Sequence, residues 1–196
     1  MRLVVGITGA TGAIDAQRLL HRARELGAET HLVATPAGVL NAHHELGLPR
    51  RELEALADHA YAPGDIGACL ASGSFDAGAM VIAPCSMKSL AAVAHGLSDN
   101  LLTRAADVVL KERRRLVLMP RESPLHLGHC RLLTAAAEMG ALLVPPMPAF
   151  YTQPQTVQDL VDHSVGRVLD LFDIDSGLVR RWQGVGATVS AARAAG

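Results

Sequence analysis

The chain has 196 residues, of which 49% are hydrophobic, 19% charged and 3% aromatic, with a formal net charge of −1. That length suits one domain with a substantial core, and the balanced charge excludes a broad nucleic-acid-binding surface. No apolar stretch reaches 18 residues, so no membrane span is expected. Residues 3–7 are too short an apolar run for a signal peptide. Three scattered cysteines, Cys69, Cys85 and Cys130, suit free thiols in a reducing cytoplasm rather than a disulfide framework.

Residues 3–7 read as a buried strand that breaks into a loop carrying Gly6, Gly9 and Gly12. A helix follows, with Ile14, Leu19, Leu20, Ala23 and Leu26 on one face. Together these make either a phosphate cradle, to which Thr8 and Thr11 add hydroxyls, or the close packing of a first βα turn. The G-x-x-G-x-x-G spacing is neither the dinucleotide fingerprint nor the P-loop. Glu29 to Thr35 is a second strand, and Pro36 opens a helix that runs to about Leu46. Residues 50–58 form an amphipathic helix, and 59–78 a loop with a short helix. A strongly buried strand at Ala79–Ala83 stops at Pro84-Cys85-Ser86, where a helix starts at once. Residues 101–113 are helical. Arg115–Pro120 is a strand with Arg121-Glu122-Ser123-Pro124 as its exit, and a helix from about Leu125 to Met139 leads to a strand at 141–144. After the proline-dense loop 145–154, the helix 156–172 places Val157, Leu160, Val161, Val165, Val168, Leu169 and Phe172 on one side.

Strands alternating with helices predict an α/β fold, a parallel sheet covered on both faces. Ligands in such folds sit beyond the carboxyl ends of the strands, and loops 8–13, 35–38, 84–89, 120–124 and 145–154 all fall there. No repeat or linker interrupts the chain. One domain is expected over 1–184, with an alanine- and glycine-rich tail over 185–196.

The loop ends gather Thr8, Thr11, Thr35, Ser86, Lys88, Ser89, Arg121 and Tyr151, groups that suit a bound mononucleotide. Each has a plainer reading. Cys85 is a small buried hydrophobe and Ser86 a helix cap. The run Lys111–Arg115 complements a helix dipole, or supplies one lysine to a phosphate. Arg121-Glu122 is a surface pair, or an anion grip beside a proton relay. His126 and His129 are spaced as metal ligands, yet only Cys130 joins them. Phe150-Tyr151 is a core plug, or an aromatic contact beside a bound ring. Glu45 reads as an ordinary exposed carboxylate.

Several stretches together resemble the UbiX-type flavin prenyltransferases. They are Gly6-Ile-Thr-Gly-Ala-Thr-Gly-Ala13, Ser72-Gly-Ser-Phe75, Met80-Val-Ile-Ala-Pro-Cys-Ser-Met-Lys88, the 99–114 segment with R-A-A-D-V-V-L-K-E-R-R, residues 116–125 and Pro146-Met-Pro-Ala-Phe-Tyr151. The resemblance implies a flavodoxin-like (Rossmann-type) sheet with FMN at the strand ends, in a homo-oligomer that is commonly a dodecamer. The implied activity moves a dimethylallyl group from dimethylallyl phosphate to N5 and C6 of reduced FMN, without metal, and the prenylated FMN passes to a UbiD-type decarboxylase. Carried over by motif, Gly9, Ala10, Thr11, Thr35, Ser86, Met87, Lys88, Ser89 and Arg121 hold FMN, with Arg104 near the flavin. Lys111, Tyr151 and Arg167 grip the prenyl phosphate, Glu45 and Glu122 are the acid/base carboxylates, and Trp182 closes the site beside the prenyl chain. One shared crevice is expected to join Thr11, Lys111 and Tyr151.

The chain departs from the family pattern at Thr11, where serine is common, at Asp15-Ala16 for tyrosine-glycine, and at Thr35-Pro36 for serine-lysine. The Asp15 carboxylate suits the helix dipole if exposed and repels phosphate if it points inward. Two other readings share the fold: a flavin-carrying partner subunit of an aromatic acid decarboxylase, and a flavin-dependent cysteine decarboxylase. The second lacks support in Ala13-Ile14-Asp15, where a catalytic histidine is needed.

Overall fold

The computed structural model describes residues 1–184; the tail at 185–196 lies outside the described residues. Six strands form one parallel sheet in the order β3-β2-β1-β4-β5-β6. They are β1 (Arg2–Ile7), β2 (Glu29–Ala34), β3 (His59–Tyr61), β4 (Ala79–Cys85), β5 (Arg115–Pro120) and β6 (Leu142–Leu143). Without the three-residue edge strand β3, the order is that of flavodoxin-like sheets, with its switch point between β1 and β4.

Alternation along the central strands fills two cores. Leu3, Val5 and Ile7 of β1, Val81 of β4 and Val117 of β5 face α1 (Ala13–Glu25) and the last helix, α7 (Val157–Asp170). Val4, Met80, Ile82, Leu116 and Leu118 face α4 (Met87–Ala94), α5 (Leu101–Lys111) and α6 (Leu127–Glu138). All seven residues of β4 are buried, as a central strand covered on both faces requires. Burial of each large apolar side chain contributes roughly 1.5–3 kcal/mol. Two more helices, α2 (Pro36–Leu46) and the short α3 (Arg50–Glu54), link β2 to β3. Gly38 lets α2 close on β1, since a Cβ there would lie 2.6 Å from the Ile7 carbonyl oxygen.

The strand and helix order agrees with the sequence expectation, with local differences. Residues 59–61 form β3 instead of loop, because His-Ala-Tyr carries no apolar run to betray an edge strand. The helix expected over 50–58 stops at Glu54. Leu26 lies beyond the end of α1 and Val157 is exposed on the first turn of α7, so neither joins the buried face. Two arginines of the basic run after α5 are engaged. Arg114 donates to the Phe75 carbonyl at 2.8 Å and pairs with Asp76, and Arg115 pairs with Asp173. Among the described residues no helix is long and apolar enough to cross a membrane.

Candidate flavin site

Three cross-loop contacts tie the carboxyl edge of the sheet together. The Thr35 amide donates to the Ile7 carbonyl at 2.9 Å, and the Arg121 amide to the Cys85 carbonyl at 3.1 Å. Between them sits Thr8, 1% exposed. Its hydroxyl donates to the Pro84 carbonyl at 2.8 Å and accepts from the Ser86 amide at 2.7 Å. Thr8 is therefore a clamp between the β1 and β4 loops and leaves no hydroxyl for a ligand.

The clamped loops surround a cavity of about 510 Å³, within the range of small-molecule sites. Gly9, Thr35, Ser86, Met87, Lys88, Ser89 and Glu122 line it, and so do Asp99, Asn100 and Thr103. A Cβ on Gly9 would come within 2.6 Å of Ala37 Cβ, so glycine keeps this wall thin. Three helices begin at the cavity, each capped by its own side chain: Thr35 accepts from Gly38 N, Ser86 from Ser89 N, and Asn100 from Leu102 N and Thr103 N. At the start of α4 the Met87 and Lys88 amides have no acceptor inside the helix and, with Lys88, the cavity's only cation among the described residues lining it, make a phosphate position. Proline at the start of α2 withholds one amide there.

The glycine loop works differently from a phosphate cradle. Glu45, at the end of α2, accepts from the Gly12 and Ala13 amides, both at 2.9 Å. The start of α1 thus already holds an internal carboxylate. Asp15 is buried beside it, and its carboxyl is pushed up to about 6 by burial and then by the Glu45 charge. The departure at Asp15 thus points inward. Burial pushes the Cys85 thiol up to about 12, so it packs as a protonated hydrophobe and is no nucleophile. His126 Nδ1 accepts from Gly128 N and His129 N as the cap of α6.

The remaining anticipated residues fall elsewhere. Thr11 and Ala10 lie in the loop beside Gly9 without lining the cavity, and Arg121 is exposed at its rim. Arg104 donates to the Ala71 carbonyl and pairs with Asp107. Tyr151 meets Trp182 edge to face at 5.5 Å and His163 at 5.8 Å. Arg167 lies one turn along α7 from His163, paired with Asp170. Tyr151, His163 and Trp182 form an aromatic cluster, and neither they nor Arg167 line the cavity. Phe150 is 74% exposed and plugs no core. Lys111 ends α5, whose first turn borders the cavity, and ten residues of helix put it about 15 Å away. It pairs with Glu112 near the start of β5, at the opposite edge of the sheet. The expected crevice joining Thr11, Lys111 and Tyr151 is not formed within one chain. Asp99, Asn100 and Thr103 escaped the sequence reading; the Asn-x-x-Thr capping spacing was their available signal.

A doubly wound sheet with a lysine-bearing, hydroxyl-lined cavity at its switch point defines a flavin- or nucleotide-binding α/β protein. The flavoprotein family profile matches residues 1–169. The flavin prenyltransferase UbiX of Escherichia coli (strain K12) is 53% identical over 186 residues, covering 93% of this chain and 98% of its own. The crystal structure of AnUbiX (PadA1) with FMN and dimethylallyl pyrophosphate superposes with a TM-score of 0.91 at 46% identity, covering 93% and 97% of the two chains. The dodecameric FMN-dependent UbiX-like decarboxylase of Escherichia coli O157:H7 gives 0.91 at 49% identity, covering 94% and 100%. The chain belongs to the UbiX flavin prenyltransferase family.

Two outcomes follow from this geometry. Thr8→Val strands the part-buried Ser86 amide and should cost about 1–3 kcal/mol in chemical denaturation while weakening FMN binding; Thr8→Ser should restore both. Asp15 binds its proton more tightly folded than unfolded. Its contribution to stability is therefore complete below about pH 4 and is lost as pH rises through about 6. Asp15→Asn should be more stable than the parent above pH 6, by roughly 3 kcal/mol or less, with the gap closing towards pH 4; a gap independent of pH would show that Asp15 is not the titrating group.

Proposed function

We propose that this chain is a flavin prenyltransferase that joins the dimethylallyl group of dimethylallyl phosphate to reduced FMN and passes the product to a UbiD-type decarboxylase in the cytoplasm. The observation that carries the reading is the cavity at the β1/β4 switch point, with Lys88 and the free amides of α4 set for a phosphate and Glu122 on its wall. The cavity fits FMN in volume, in hydroxyl content and in its close glycine wall. When bound there, reduced FMN supplies the nucleophilic carbon and nitrogen.

The protein's part is positioning and charge. Gly9, Ala10, Thr11, Thr35, Ser86, Met87, Lys88, Ser89 and Arg121 hold the flavin, with Arg104 behind. Glu122 takes up the ring proton at its carboxylate oxygen. Glu45, fixed by two amides, faces the same loop as the second acid/base group. Lys111, Tyr151 and Arg167 neutralise the phosphate as it leaves, and Trp182 keeps water from the prenyl chain.

Lys111 meets the cavity only across an assembly, so a second copy supplies it. Exposed apolar side chains on this surface, among them Leu127, Met147, Phe150 and Val157, suit such contacts, and the UbiX-like decarboxylase of Escherichia coli O157:H7 is a dodecamer. A homo-oligomer, a dodecamer by this reading, completes the site. A carrier subunit without its own chemistry is the second reading, which the retained Lys111, Glu122 and Tyr151 set disfavours.

Anaerobic incubation with reduced FMN and dimethylallyl phosphate should yield a bound flavin heavier by one five-carbon unit; unchanged FMN in a filled site would refute the reading. Lys111→Ala and Glu122→Gln should each retain FMN and slow adduct formation about 100-fold or more. Subunits of the two variants, dissociated and reassembled together, should regain activity at about a quarter of their sites, as random mixing in a symmetric assembly requires. No recovery would place Lys111 outside the neighbouring site.

A further inference from the structure

The amino edge of the sheet, remote from the flavin cavity, holds a second cluster. Glu29 and His31 lie two residues apart on β2 and so share one face. His59 on β3 stands opposite His31 in the parallel register. Glu29 Oε1 is 3.3 Å from His31 Nε2 and 3.3 Å from His59 Nε2. The three ligand atoms lie within 4.8 Å of one another, and the two imidazoles stack with centroids 4.7 Å apart.

His31 is the informative member. Its side chain is 2% exposed, and its Nε2 faces Glu29 Oε1 at 3.3 Å without hydrogen-bond geometry. Its Nδ1 is paired with Tyr61 Oη at 3.0 Å, and Tyr61 Oη also meets Cys69 Sγ at 3.5 Å. When the tyrosine donates to sulfur, Oη accepts from Nδ1–H and leaves Nε2 unprotonated, the tautomer that a metal ligand needs. Arg2 Nε donates to Glu29 Oε2 at 3.1 Å, which fixes the carboxylate and leaves Oε1 facing the imidazoles.

We propose that Glu29, His31 and His59 bind a divalent transition metal, with zinc the fitting ion. Two imidazole nitrogens and one carboxylate oxygen form a zinc donor set with an open fourth position for water. A tetrahedral ion with bonds of about 2.0–2.1 Å has ligand-to-ligand edges of about 3.3–3.4 Å, the separation Glu29 already keeps from each imidazole. His59 is half exposed, so its ring is free to turn and shorten the third edge. Tyr61 supplies the outer hydrogen bond that orients a ligating imidazole. Arg2 is the cation paired with the cluster; its charge is answered by Glu29 Oε2 and its guanidinium lies 5.0 Å over the Phe75 ring, while the nearby Arg24 is held by Asp58. The metal pins β3 to β2 and, remote from the flavin cavity, takes no part in prenyl transfer.

The test uses the untagged full-length protein, stripped with EDTA and titrated with Zn²⁺ alone, with Co²⁺ as a coloured substitute. One zinc per chain should survive dialysis and raise the thermal midpoint, and Co²⁺ should give tetrahedral visible bands that zinc bleaches. His59→Ala should lose both the bound zinc and the midpoint gain while still binding FMN, which verifies its fold. Tyr61→Phe should weaken zinc binding about 10- to 100-fold, and His126→Ala, in the His126–His129 pair at the start of α6, should keep it. Zinc retained equally by His59→Ala, or no zinc above the buffer blank, overturns the proposal.

Discussion

The architecture of the site hangs on one buried hydroxyl. Thr8 leaves β1 at the switch point of the sheet and holds the Pro84 carbonyl and the Ser86 amide at once. Parallel strands bring the loops to one edge but do not fix how far apart they stand. Thr8 does that, assisted by the Thr35 and Arg121 amides on either side. The cavity is what remains between loops clamped in this way; the capped starts of α2 and α4 open onto it because β2 and β4 end there, and the 95–100 turn after α4 brings the start of α5 beside them.

Charge is distributed over these helix starts unevenly. The start of α1 holds Glu45 on the Gly12 and Ala13 amides, so its partial positive charge is already answered. Lys88 is on α4, while Pro36 leaves α2 without the lysine common in the family. In the proposed site this favours a phosphate at α4 and leaves the glycine loop for an uncharged part of the flavin. Buried Asp15 strengthens the same bias, since an anion at α1 would meet two carboxyl groups.

The sheet, its helices and most of the flavin-facing loops were legible because each rests on local pattern: apolar runs, glycine and proline breaks, hydroxyl caps. What escaped was set by partners distant in sequence. Thr8 read as a phosphate donor because Pro84 lies 76 residues away, and Glu45 as a plain surface carboxylate because the amides it holds are more than 30 residues earlier. His31 and His59 are matched only by strand register, and β3 is too short to announce itself. Lys111 was named by motif, but motif says nothing of its distance from the cavity, and only the run of α5 shows that it ends away from it.

The placement of Lys111 at the far end of α5 has a bearing on how the enzyme comes to life. On the proposed role of Lys111, a newly made chain carries the flavin pocket and the lysine at opposite poles and would be born a flavin holder without chemistry. Dilution that parts the subunits would then silence the reaction before it empties the pocket. Assembly would act as the ignition step, and prenyl phosphate would be spared wasteful cleavage by solitary chains.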